Sequence, residues 1–170
     1  YDSPLGAGTG AAVIFGTTGG VMEAALRTVA EVVLGEEIAD VEYNDVRGME
    51  QTREAVIKVG EAEVKIAVVH TLASAKKMLD RIKEGTADYH FIEVMACPGG
   101  CIGGGGQPVP VNAEIRKKRR EALFECDRAN ELRKSHENPE IKVLYDTWLG
   151  KPLGEKAHSL LHTHYSEQKR

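Results

Sequence analysis

Apolar positions early in the chain recur at three- and four-residue intervals. In "GVMEAALRTVAEVVLG", Val21, Ala24, Ala25, Thr28, Val29 and Val32 follow that spacing, which predicts a helix buried on this face and stopped by Gly35. The period then shortens. "VEYNDVRG" and "EAVIKVGEAEVKIAVVH" alternate or run apolar over strand lengths, with Gly60-Glu61 as a hairpin turn between 56–59 and 64–69. "SAKKMLDRIKEG" returns to the helical period, with Ala75, Met78, Leu79 and Ile82 on one face, Ser74 as cap and Gly85 as stop. "YHFIEVMA" is a short run of strand formers that leads into Cys97.

After Pro110 the pattern becomes charged. "NAEIRKKRREALFECDRANELRKS" carries Ile115, Leu123 and Phe124 among charges and predicts a long amphipathic helix opened by Asn112. "NPEIKVLYDTWLG" places Pro139 at a first helical position, and "LGEKAHSLLHTHY" predicts a last short helix. The expected fold is α/β, a sheet of about four strands flanked by helices, with a C-terminal helical tail. The expected division is an α/β lobe over 1–110 and a helical extension over 111–170.

Composition narrows the function classes. With 42% hydrophobic residues, 170 residues bury one sizeable core. A net charge of -4 gives no electrostatic reason to bind nucleic acid or an anionic membrane. "RKKRR" at 116–120 has acidic neighbours and is expected to be a solvated helix face. No apolar run approaches the roughly 20 residues that span a bilayer. The start, "YDSPLGAGTG", has neither initiator Met nor signal-peptide features and reads as the interior of a longer polypeptide. Three cysteines do not make a disulfide framework, so a metal site or a reducing compartment is expected, the cytoplasm with the periplasm as alternative.

The candidate chemistry sits in "FIEVMACPGGCIGGGGQP". Cys97 and Cys101, spaced C-x3-C on a tight loop, bring two thiolates to one side of the chain. The glycines that follow let backbone approach a bulky anionic group. By itself the pattern leaves a phosphate loop or a plain turn open. Cys126 reads as a half-buried helix residue. His158 and His162 at i, i+4, with His164 nearby, have zinc-clasp spacing but no accompanying carboxylate or cysteine, and packing is the favoured reading. "GTTGG" before a helix suits a phosphate but lacks the Lys-Ser/Thr of a P-loop. Glu93 reads as an acceptor behind the site or half of a buried ion pair, and His70 and His90 have no evident partner.

The longer string resembles the third signature segment of iron-only (FeFe) hydrogenases, E-x-M-x-C-x-x-x-C-x-x-G-G-G-Q-P. Glu93, Met95, Cys97, Cys101, Gly104, Gly105, Gly106, Gln107 and Pro108 match it. "GAAVIFGTTGGVMEAALRT" resembles the family's pocket segment, and "RKSHENP" with "LGKPLGEKAHSLLHTHY" its tail, so the likeness runs through the whole chain. It implies the C-terminal lobe of a catalytic domain that interconverts H2 with protons and electrons at an H-cluster. That cofactor is a 4Fe-4S cluster joined through a cysteine sulfur to a two-iron subcluster. By position Cys97 would ligate the 4Fe-4S part, Cys101 would ligate it and bridge to the two-iron unit, and Met95 would touch that unit. Phe15, Gly16 and Val21 would wall its ligands from water. Pro98 and Gly103 occupy variable positions of the pattern and carry no expected functional change.

The family's T-S-C-C-P and P-C-x-x-K-x-x-E segments are absent here. Two cluster ligands, the proton-relaying thiol and the cyanide-holding lysine therefore lie outside this sequence, and the isolated chain is expected to be inactive. The implied partners are H2, protons, a ferredoxin-like or other iron-sulfur electron carrier and the missing N-terminal lobe. Two rival readings remain: a Nar-type iron-sulfur assembly factor, and a metal-free fragment that self-associates through the open lobe face, two such loops even offering four thiolates.

Overall fold

The computed structural model describes residues 6, 8–38 and 41–166. Two compact units divide them, one of 8–135 and one of 136–166 with residue 6. The first opens with α1, Gly10–Ile14, capped by the Thr9 hydroxyl on the Ala12 amide. The longer α2, Gly20–Leu34, follows after a tight turn and ends on Gly35 in the left-handed conformation. β1, Thr52–Val59, and β2, Ala62–His70, form an antiparallel hairpin in which Val59 faces Ala62 across the Gly60-Glu61 turn. α3, Leu72–Lys83, crosses over to β3, Phe91–Met95, which pairs parallel with β2. The sheet order is β1-β2-β3, and α4, Ala113–Ala129, completes this unit.

The α/β class holds, with three strands among the described residues where about four were expected. The difference is "VEYNDVRG", which is irregular chain with a single 3-10 turn at Asn44–Val46. Two of its carbonyls are satisfied by side chains instead of a ladder: Arg27 Nε donates to Val41 O at 2.9 Å and Arg53 Nε to Val46 O at 3.2 Å.

Hydrophobic burial comes from both faces of the sheet. Met22, Leu26 and Ala30 of α2 pack with Val46, Ile57, Val59, Ile66 and Val68. On the other face Ala67 and Val69 meet Ala75 and Met78 of α3. Each large side chain so buried contributes about 1.5–3 kcal/mol. The face of α2 is rotated from the expected one. Val29 and Val32 are 43% and 74% exposed, because the helix also buries Glu23 and Arg27 to meet α4. There Arg27 forks onto both oxygens of Asp127 at 2.7 and 2.8 Å and reaches Glu23 at 2.7 Å. Gly10 permits the close approach of α1 to α4, since a Cβ there would lie 2.1 Å from Asp127 Oδ1. The cap of α3 is Thr71, not Ser74, and Ser74 instead donates to Gln51.

α4 opens as expected at Asn112, whose side chain accepts from the Ile115 amide. By its contacts it packs on α1 within the first unit. In the second unit α5, Pro139–Leu144, starts at Pro139 and runs into a π-helical turn at Tyr145–Leu149. α6, Glu155–Leu161, ends in the stacked rings of His158 and His162, 4.2 Å apart. Among the described residues no helix is long and apolar enough to cross a membrane.

Candidate metal centre

β3 delivers its residues alternately to the two faces of the sheet, so Glu93 and Met95 share one side just before Cys97. Glu93 is 5% exposed, and its carboxylate spans the start of α2, accepting from the Gly19 amide at 2.6 Å and the Met22 amide at 2.8 Å. This is a cap supplied from 71 residues away along the chain, and it puts a carboxylate where the helix dipole favours one. Burial pushes the Glu93 carboxyl above its ordinary range, against the opposing pull of those two amides and of Arg53. The "GTTGG" helix start is thus occupied by Glu93.

That bond fixes the turn between α1 and α2, and the turn in turn docks the cysteine loop. The Thr18 amide donates to Gly99 O and the Ile102 amide to Gly16 O, both at 3.0 Å. Gly100, at φ 94°, lies between the two cysteines, and here only glycine fits. A Cβ would meet Met95 Sδ and the Thr18 nitrogen at 2.8 Å and Gly16 O at 3.0 Å. Met95, Gly16 and Thr18 therefore converge on the loop. Val21 is half-buried at the first turn of α2, and Phe15 is 46% exposed beside Gly16.

From behind, His70 at the end of β2 holds the loop. Its Nδ1 accepts from the Gly99 amide at 3.3 Å while Nε2 lies 3.2 Å from Met49 O, an arrangement that requires the proton on Nε2. No pattern in the sequence pairs positions 70 and 99, so this partner was invisible there. His90, the other unpaired histidine of the sequence, accepts from the Lys65 amide. "RKKRR" is likewise more than a solvated face: Arg119 donates to Ile102 O and Pro108 O, both at 2.8 Å. Met49 beside Gly99 also lines an open cleft of about 630 Å³ between 44–50 and α4, whose charges are of both signs.

Gly103, expected to be neutral, is sterically required. A Cβ would lie 2.1 Å from Pro98 O and 2.8 Å from Arg116 Cδ. Gly103→Ala is expected to cost about 1–3 kcal/mol by overpacking and to force the loop open. A thermal melt and the alkylation rate of Cys97 check this, and an unchanged melt and rate would refute it.

The residues present fit a soft metal group. Cys97 is half-buried and Cys101 exposed, both are free thiols, and Gly105 and Gly106 have open space where side chains would stand. A Cβ on Gly104 would sit 3.3 Å from Cys97 Sγ, so glycine there leaves that sulfur uncovered. Two thiolates provide half of the four that an iron-sulfur cluster ordinarily takes. Cys126 is exposed on α4.

The family model "Iron only hydrogenase large subunit, C-terminal domain" matches residues 1–105. The chain belongs to that family. A second model, "Iron hydrogenase small subunit", matches 113–168, the stretch that begins with α4. NADP-reducing hydrogenase subunit HndD of Solidesulfovibrio fructosivorans is 54% identical over all of this chain, and Iron hydrogenase 1 of Clostridium pasteurianum is 40% identical over 98% of it. The chain spans only 29% and 30% of those relatives. A solved FeFe-hydrogenase HydA1 variant from Chlamydomonas reinhardtii superposes with a TM-score of 0.71 at 42% identity, over 97% of this chain and 48% of that one. Cytosolic iron-sulfur assembly component 3 of Rattus norvegicus is more distant, 31% identical over 88% of this chain and 31% of its own length. The iron-only hydrogenase assignment therefore stands over the assembly-factor reading.

Proposed function

We propose that this chain is the C-terminal part of a hydrogenase catalytic domain that interconverts H2 with protons and electrons, the remaining cluster ligands coming from polypeptide outside it. The supporting observation is the convergence of Met95, Gly16 and the Thr18 amide on Gly100, between two free thiols, in an iron-only hydrogenase. Cys97 and Cys101 would hold the H-cluster, which when bound supplies the redox and H2-splitting chemistry. Met95, Phe15, Gly16 and Val21 form its surroundings on this side, where apolar atoms exclude water and strengthen local electrostatics. Glu93 and His70 work one step back, fixing the turn and the loop so that the two sulfurs keep their places. Electrons pass to and from an iron-sulfur carrier of the ferredoxin type, in the cytoplasm.

The test uses the complete polypeptide matured anaerobically. Wild type is expected to bind iron and turn over H2. Cys97→Ser and Cys101→Ser are each expected to lose H2 turnover by at least two orders of magnitude, because a hydroxyl is a poor ligand for iron in such a cluster. Full iron loading of wild type with no H2 turnover would overturn the reading in favour of the assembly-factor relatives.

A further inference from the structure

Every basic residue of 116–119 but one has a partner. Lys117 and Lys118 pair with Glu121 and Glu114 at i, i+4, and Arg119 clamps the loop carbonyls. Arg116 has none among the described residues, and its Nε is buried without an acceptor. Its stem lies against the cysteine loop: a Cβ would be 2.8 Å from Arg116 Cδ if built on Gly103 and 3.1 Å if built on Gly99. A side chain at either glycine would displace it. An arginine N–H buried with no acceptor is costly unless a negative charge stands nearby.

The loop provides that charge once both thiolates carry metal. Arg116 Nε lies 3.8 Å from a Cβ built on Gly99, and Gly99 is two residues from both Cys97 and Cys101, so the cation lies against the middle of the loop that holds both sulfurs. A charge with its Nε buried is screened by salt much less than a fully exposed one. We propose that Arg116 is a positioning charge for the metal centre, favouring the reduced, more negative state of the cluster held by Cys97 and Cys101 and so raising its potential. This rests on the functional reading above. It also joins α4, at the head of the stretch matched by the small-subunit model, to the centre.

The test compares Arg116→Gln and Arg116→Lys with wild type in the anaerobically matured complete polypeptide. It reads iron per chain, thermal midpoint and the cluster midpoint potential from a redox titration followed by electron paramagnetic resonance. The Gln variant is expected to keep its thermal midpoint and move to a more negative potential, while the Lys variant stays near wild type. Loss of iron by the Gln variant alone would support the charge in the same way. An unchanged potential in the Gln variant, or equal changes in both variants, would overturn the proposal, since packing alone does not distinguish them by charge. A wild type without iron would sink the functional reading itself; a loaded wild type indistinguishable from Arg116→Gln would sink only the role of Arg116.

Discussion

Arg27→Met is expected to destabilise the first unit by about 3–5 kcal/mol, because it takes from two buried carboxylates the fully buried cation they share. Arg27, Glu23 and Asp127 all have side chains with no solvent exposure. The guanidinium also donates to Val41 O and Arg133 O, so its loss orphans the Val41 carbonyl, while Arg133 O keeps the Ala11 amide. Arg47 and Arg133 still reach Glu23 and Asp127, which keeps the loss within this range. At about 2–4 °C per kcal/mol for a chain of this size, the thermal midpoint falls by roughly 10 °C. A fall of less than 2 °C would show that the network contributes little.

The same network sets a pH dependence. Burial alone would raise the Asp127 carboxyl, but hydrogen bonds and charge from Arg27 and Arg133 outweigh it and hold the carboxyl below its ordinary 3.8. The unfolded chain therefore binds this proton first on acidification. The stability contributed by the pair is complete above pH 3.8 and is lost as pH falls through the folded value. Denaturant titrations from pH 6 downward should show that loss, and Asp127→Asn should flatten it.

Glu93→Leu is the second large effect. It removes the acceptors of two buried amides, Gly19 and Met22, each costing about 1–3 kcal/mol when orphaned. Relief of the buried charge offsets part of this, leaving a net loss of about 2–4 kcal/mol. Glu93→Gln, which keeps one acceptor, is expected to lose about half as much. The carboxyl here is raised, so the linkage has the opposite sign to Asp127. The folded protein holds this proton more tightly, and the residue's contribution falls as pH rises from 4.5 toward the folded value. The leucine variant should lack that slope. Amide exchange at Gly19 and Met22 locates the damage, and slow exchange there in the variant would refute the capping role.

The parts of the site differ in how legible they were. Cys97, Cys101, Met95 and the glycine run stood in one continuous string, and that string carried the family correctly. Gly103 looked neutral because its constraint is a carbonyl five residues back that comes within reach only when the loop closes. Arg119 looked solvated because its acceptors, the carbonyls of Ile102 and Pro108, carry no side-chain signal at all.

The sequence by itself determined what depends on near neighbours. The run from Gly20 to Leu34 is helical, Gly60-Glu61 turns a hairpin, Asn112 and Pro139 start helices, and a strand leads into Cys97. Each follows from periodicity or from one residue's backbone preference, both readable within a few positions. Only the tertiary structure decided that "VEYNDVRG" leaves the sheet with its carbonyls on arginines, that α2 turns toward Asp127, and that Glu93 and His70 secure the turn and the loop. Those bonds join residues 7 to 100 positions apart, and a donor's choice among distant acceptors is settled by which of them the packed core brings within hydrogen-bonding reach.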